Sequence, residues 1–271
     1  MKNKGKLLII LLSVTSFLAC ESNPLTGKKT MSFVSNSELF AMSFQQYDQF
    51  LSENTVITGT PEAEMVKSVG ENIKTAAEKW IASQGDAEYL KDYRWEYHLV
   101  ASDEANAWCM PGAKIVVYTG ILPIARDKDS LATVMGHEVV HALLNHGKQR
   151  YSAGILQQLG AVGVALTLAG LGTSRENQDL FNTLFGVGST LFGTLPFSRK
   201  HESEADHYGL ILMAIAGYDP EASVPFWQRM AELGSGTPEF LSTHPSPSTR
   251  IEDLQKSIPE AKSKAAELNK R

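Results

Sequence analysis

The segment Gly136-His137-Glu138-Val139-Val140-His141 sets two imidazoles four positions apart, with a carboxylate beside the first. On an α-helix of 3.6 residues per turn that spacing brings His137 and His141 to nearly the same side. Both rings can then bind one Zn²⁺, and Glu138 can address a water at that metal. The implied chemistry is metal-assisted hydrolysis of a peptide bond, with Glu138 as the base.

Two histidines leave a catalytic zinc one short of its usual three protein ligands. One class of zinc protease takes a third histidine six positions further on, with a glycine at three. Gly147 and Leu144 stand at those positions, which excludes that class. The other common solution is a glutamate on a later helix. The run His201-Glu202-Ser203-Glu204-Ala205-Asp206 offers Glu202 as the third ligand. Asp206, four residues on and on the same face, can accept the outward N–H of a ligating imidazole and fix its tautomer. Glu204 falls about 200° around from Glu202 and does not join them. An exposed acidic face is the ordinary reading of such a pair; beside a zinc motif the metal reading wins. His146 lies off the ligand face, near a helix C-terminus where its charge is favoured. His98, His201 and His207 read as structural or exposed.

These residues need helices to hold them. Ser35–Leu51 and Pro61–Ala82 have helical spacing, with Ser35 or Ser37 capping the first and Pro61 opening the second after Thr60. Trp95, Tyr97 and Leu99 alternate with polar residues, and Lys114–Tyr118 is short and β-branched after Pro111-Gly112, so both read as strands. Asp127–Asn145 is the helix of the zinc motif, with Asp129 as its cap and Gly147 as its stop. Ala153–Gly172 is uncharged, but its glutamines and glycines favour a buried or covering helix over a membrane span. Leu180–Pro196 is similar. Arg199–Ala216 and Glu221–Leu233 are helical, Gly234–Pro247 is a loop around His244, and Ser248–Ser257 and Glu260–Lys270 close the chain as two helices.

At 271 residues and 43% hydrophobic, the chain can bury a sizeable core. A formal charge of −5 gives no hint of nucleic-acid binding. Lys2, Lys4 and Lys6 precede an apolar stretch, Leu7–Ala19, too short to span a bilayer. It ends Phe17-Leu18-Ala19-Cys20, which is similar to a bacterial lipobox; that likeness implies cleavage before Cys20 and lipid on its sulfur and amine. Ordinary cleavage and an uncleaved anchor are the alternatives. Glu21, which is not aspartate, points to the outer rather than the inner membrane. Cys109 is the only other cysteine, so an acylated Cys20 leaves no intramolecular disulfide, and Cys109 reads as a small apolar residue.

Gly-His-Glu-Val-Val-His-Ala-Leu-Leu-Asn-His-Gly, followed by Arg-Lys-His-Glu-Ser-Glu-Ala-Asp-His-Tyr-Gly, resembles the HtpX/Ste/Oma-type gluzincin metallopeptidases. Asn23–Lys28 resembles the start of their bacterial lipoprotein branch. Asp103–Gly112 resembles the segment before the family's edge strand, and Ser242–Arg250 its C-terminal His-Pro…Arg element. The motifs occur in the family's order from about Asn23 to Arg250. The chain ends about twenty residues later, so the likeness is to a bare protease module.

The resemblance implies an α+β, mainly α-helical zincin (gluzincin) protease domain with a small β-sheet whose edge strand binds substrate. It would occupy residues 35–257, after a lipoprotein signal peptide (1–19) and a lipidated tether (20–34), and before a C-terminal helical tail (258–271). One Zn²⁺ per chain would sit on His137, His141 and Glu202. By the same resemblance His244 is either an oxyanion donor or a fourth ligand that blocks the water. Substrate would lie extended along an exposed strand, taken as Ile115–Tyr118, with Asn106, Ala107, Ile115 and Val116 in contact. Unfolded or misassembled envelope proteins are the expected substrates and the outer-membrane assembly machinery a partner. The expected location is the bacterial cell envelope: a lipid-anchored lipoprotein facing the periplasm on the outer membrane. A non-catalytic assembly module with His244 capping the zinc, and an integral membrane protease spanning at Ala153–Gly172, are the competing readings.

Overall fold

The computed structural model describes residues 20–162, 197–233, 239–244 and 249–270. The signal segment, Leu180–Pro196 and most of the loop after His244 lie outside the described residues. Helix α1 (Asn36–Glu53) starts on a capping box in which Ser35 and Glu38 satisfy each other's backbone N–H. Helix α2 (Pro61–Ser83) starts on Thr60, with Pro61 in its first turn, and buries Val66, Val69, Ile73, Ala77 and Trp80 along one stripe.

Four short strands form a mixed sheet in the order β3-β4-β6-β5: β3 Val56–Ile57, β4 Glu96–Val100, β5 Ala107–Met110 and β6 Lys114–Tyr118. β4 and β6 run parallel; the other two pairings are antiparallel. Side chains alternate across the sheet. Leu99, Ile115 and Val117 join the main core with α2, while Val100, Trp108, Met110 and Val116 pack with Tyr47 and Phe50 of α1 on the other face. Paired with β4 on one side and β5 on the other, β6 is an interior strand, and the expectation of an edge at Ile115–Tyr118 is corrected. A continuous β-branched run is the signature of a strand covered on both faces. The free edge facing the site is β5.

Helix α3 (Lys128–Leu143) carries the zinc motif and is buried on every face from Ser130 to Leu143. Asp127 caps it, not Asp129, whose carboxylate instead accepts the N–H of Asp219. The helix stops earlier than expected. Asn145 adopts φ +57°, a left-handed conformation that asparagine tolerates, and its amide donates to the Tyr89 hydroxyl at 3.0 Å. Helix α4 (His146–Val162) begins at the next residue, so Gly147 lies in a first turn and is not a stop. No helix among the described residues is long and apolar enough to cross a membrane.

Helix α5 (Arg199–Ile215) packs along α3, followed by α6 (Ser223–Ala231), α7 (Glu239–Thr243) and α8 (Arg250–Asn269). α8 runs unbroken through Pro259, where two helices were expected. Ala261, Ala265 and Leu268 hold its second half in the main core, so the boundary expected at 257 falls inside a core helix.

The segment expected to be a tether is also docked. Strands β1 (Cys20–Ser22) and β2 (Lys29–Met31) pair antiparallel around a turn. Within the turn, Asn23 is buried, accepts the N–H of Leu25 and donates to the carbonyl of Leu143 at 2.7 Å. That carbonyl belongs to the last turn of α3, where helical partners run out. A short polar Asn-Pro-x-x-Gly run reads as a loop, and nothing local in it reports the helix end it satisfies.

Candidate metal centre

The Nε2 atoms of His137 and His141 lie 3.1 Å apart on one face of α3, both side chains buried. Glu202, in the first turn of α5, places its carboxylate oxygens 3.4 Å from each of those nitrogens. His244, just beyond α7, brings Nδ1 to 3.1 Å from Glu202 and 3.3 Å from His137 Nε2. The four donor atoms lie within 4.8 Å of one another. Donors at about 2.1 Å from a tetrahedral zinc are about 3.4 Å apart, which these separations approach. The donor set is two imidazoles, a carboxylate and a further imidazole, so its chemistry and its spacing both fit Zn²⁺, the cofactor of this chain.

Two glycines allow the helices to come this close. A Cβ built on Gly209 of α5 would lie 2.9 Å from the His137 backbone nitrogen and 3.0 Å from its Cα. One built on Gly136 would meet the Gly209 carbonyl at 3.0 Å. Backbone contact at His137 itself keeps Glu202, two turns earlier on α5, within reach of both rings.

Asp206 Oδ1 accepts from His137 Nδ1 at 2.9 Å, which leaves Nε2 turned to the donor cluster. Arg250 at the start of α8 then joins the two acids. Its Nε donates to Asp206 at 2.7 Å and an Nη to Glu202 at 3.0 Å, while its guanidinium stacks over the Trp227 ring at 4.0 Å. Arg250 has no sequence signal beyond its place in the C-terminal element. His146 and Glu204 form a pair that the spacing also hides. His146 Nδ1 meets His141 Nδ1 at 3.1 Å, and His146 Nε2 meets Glu204 at 3.2 Å.

The cluster demands positive charge. Burial works against ionising Glu202, yet the charge of His244 and hydrogen bonds from His137 and His244 hold its carboxyl far below the carboxylate range. Burial also opposes a proton on His137, but Asp206 and Glu202 overcome it and raise its pKa to about 9 without metal; ligation must displace that proton. Burial pushes His141 well below its ordinary value, so it stays the neutral donor a ligand must be. Burial pushes the Glu138 carboxyl up, against the pull of His244 and His137, which strengthens it as a proton acceptor.

Glu138 Oε1 is buried without a hydrogen-bond partner among the described residues, 3.5 Å from His244 Nε2. It opens on a cleft lined by Asn106, Ala107, Cys109, Arg150, Phe197 and His244. Asn106 and Ala107 thus line this cleft. Ile115 and Val116 do not: both are fully buried between β4 and β5, their backbone groups engaged on each side. The Asn106 carbonyl accepts from the Tyr118 N–H of β6, and the antiparallel register then gives Trp108 and Met110 the hydrogen-bonded positions as well. Ala107 and Cys109 therefore turn their backbone groups outward to the cleft.

A family model described as Peptidase family M48 matches residues 69–258, more than half of the chain. The chain belongs to peptidase family M48. Among relatives of this M48 chain, the human "Metalloendopeptidase OMA1, mitochondrial" is 30% identical, aligned over 96% of the chain and 51% of its own length. The "Mitochondrial metalloendopeptidase OMA1" of Schizosaccharomyces pombe is 36% identical over 65% of the chain and 50% of its own length. The "Beta-barrel assembly-enhancing protease" of Escherichia coli is 30% identical over 59% of the chain and 34% of its own length. The M48 chain thus spans about half the length of these two OMA1 relatives.

Proposed function

We propose that the chain is a zinc metalloendopeptidase of the bacterial lipoprotein branch of its family. In this reading it is lipid-anchored through Cys20 at the cell envelope, facing the periplasm, and cleaves unfolded or misassembled outer-membrane proteins beside the assembly machinery. The observation that carries the catalytic part is the buried Glu138 oxygen that no hydrogen bond reaches among the described residues, set beside a four-donor cluster and open to the outward edge of β5. The similarity to a protease named for β-barrel assembly supports the envelope part.

A bound zinc supplies Lewis acidity to the attacking water and to the scissile carbonyl. Glu138 takes the water's proton at Oε1 and passes it to the leaving amine. An unfolded segment pairs with the backbone of Ala107 and Cys109, which selects extended conformation over side-chain identity. Asp206 and Arg250 hold His137 and Glu202 in place while the charge shifts.

His244 supports a second reading, a latent state. Its Nδ1 already stands within 3.3 Å of His137 Nε2, in the position of a fourth ligand. The test is cleavage of an unfolded outer-membrane protein by wild type, Glu138→Gln and His244→Ala. Glu138→Gln should keep its zinc and lose at least about 100-fold in rate. Faster cleavage by His244→Ala marks His244 as a cap, and slower cleavage marks it as an oxyanion donor. Equal cleavage by wild type and Glu138→Gln would remove Glu138 as the base. No cleavage by any of the three favours a non-catalytic assembly module.

A further inference from the structure

We propose that His146 and Glu204 are positioning residues for the metal ligand His141, a relay that mirrors the support Asp206 gives to His137. The inference rests on the metalloendopeptidase reading above. His141 approaches the donor cluster through Nε2. Its Nδ1 must then carry the proton and donate it. The atom that receives it is His146 Nδ1, 3.1 Å away. This fixes the tautomer of His146 in turn: its proton sits on Nε2, which donates to the Glu204 carboxylate at 3.2 Å. One consistent set of protons runs His141 to His146 to Glu204, and each ligating imidazole ends on a carboxylate.

The surroundings hold this arrangement rigidly. His146 is fully buried, and His201 stacks on it with ring centroids 4.3 Å apart and planes 15° apart. Glu204 is held from outside by Lys28, in the turn that follows Cys20. The left-handed Asn145 is what returns His146 towards His141; a helix continued through 145 would have carried it off the ligand face. The relay therefore joins the α3–α4 break, the outward face of α5 and the N-terminal segment at one ligand.

The test compares wild type with His146→Leu, His146→Asn, Glu204→Gln and Glu204→Leu. Zinc affinity is measured by chelator competition, melting temperature is followed alongside, and imidazole ¹⁵N shifts are read on the zinc-loaded protein. His146→Leu fills similar space without an acceptor and should lose about 10–100-fold in zinc affinity. His146→Asn puts an oxygen near the Nδ1 position and should recover most of that loss, an order that a packing role would reverse. Glu204→Leu should lose several-fold and Glu204→Gln less. The shifts should show His141 protonated at Nδ1 and His146 protonated at Nε2. Wild-type affinity in both Glu204 variants and in His146→Leu overturns the relay while leaving the zinc site standing, and the reversed tautomer pair does the same. If His146→Leu does not fold, the Glu204 pair and the shifts decide alone. A wild type that binds no zinc overturns the metalloendopeptidase reading and the relay with it.

Discussion

Replacing Gly209 by alanine adds one carbon where α3 and α5 touch, two turns from a metal ligand. On an exposed helix the change stabilises by about 1 kcal/mol, because alanine is the better helix former. Here the new Cβ would sit 2.9 Å from the His137 nitrogen, 3.0 Å from its Cα and 3.1 Å from the Gly136 carbonyl carbon. Carbon atoms rest at about 3.5–4.0 Å, so the helices must part by roughly 0.5–1 Å. Every atom met is backbone of a helix buried on all faces, and no flexible side chain can yield instead. Overpacking of this kind costs about 1–3 kcal/mol. After the helix-propensity gain, a net loss of up to about 2 kcal/mol remains. The site should suffer more than the fold. His137 and His141 ride on α3 and Glu202 on α5, so the 3.4 Å separations between them widen with the helices. Zinc–ligand distances tolerate only about ±0.2 Å. Gly209→Ala should therefore melt lower than wild type and lose at least about tenfold in zinc affinity by chelator competition. Unchanged affinity and a melting temperature at or above wild type would refute the idea that backbone contact sets the site.

Stripping the metal should lower the melting temperature, and zinc should restore it; at a thousandfold excess over Kd the linkage is worth about 4 kcal/mol. A thermal scan that ignores zinc would contradict the fit of the four donors. Asn23→Ala takes one of two donors from the Leu143 carbonyl, which keeps the Tyr89 hydroxyl at 2.9 Å, and removes the acceptor that closes the turn after Cys20, so it should cost about 1–2 kcal/mol in denaturant unfolding. A silent Asn23→Ala would return the segment to the status of a tether. Ala107→Pro removes an outward N–H from β5 and no rung of the sheet, so KM for an unfolded substrate should rise about 3–10-fold with kcat held. An unchanged KM would take the substrate off this edge.

Local periodicity carried the ligand stripe. His137 and His141 share a face because they are four apart on a helix, and Glu202 and Asp206 do so for the same reason, so the sequence shows both pairs. It does not show what depends on where the chain reverses. One residue in a left-handed conformation, Asn145, turned a helix stop into a second helix and brought His146 onto His141. Once His146 had moved, Glu204, on the other side of α5 from Glu202, had a partner. Strand order was hidden for a related reason. Lys114–Tyr118 reads as a strand, but its place between β4 and β5 comes from a parallel pairing that no short pattern specifies. Arg250 acts from a separate helix across the core, and its type alone cannot say which carboxylates it clamps.

The mechanism turns on one catalytic zinc held by His137, His141 and Glu202. Elemental analysis of the purified chain beside its Glu202→Gln variant tests it most directly. One zinc per wild-type chain and a loss of bound zinc in Glu202→Gln are the expected result. A Glu202→Gln protein that keeps a full zinc at wild-type affinity would contradict it.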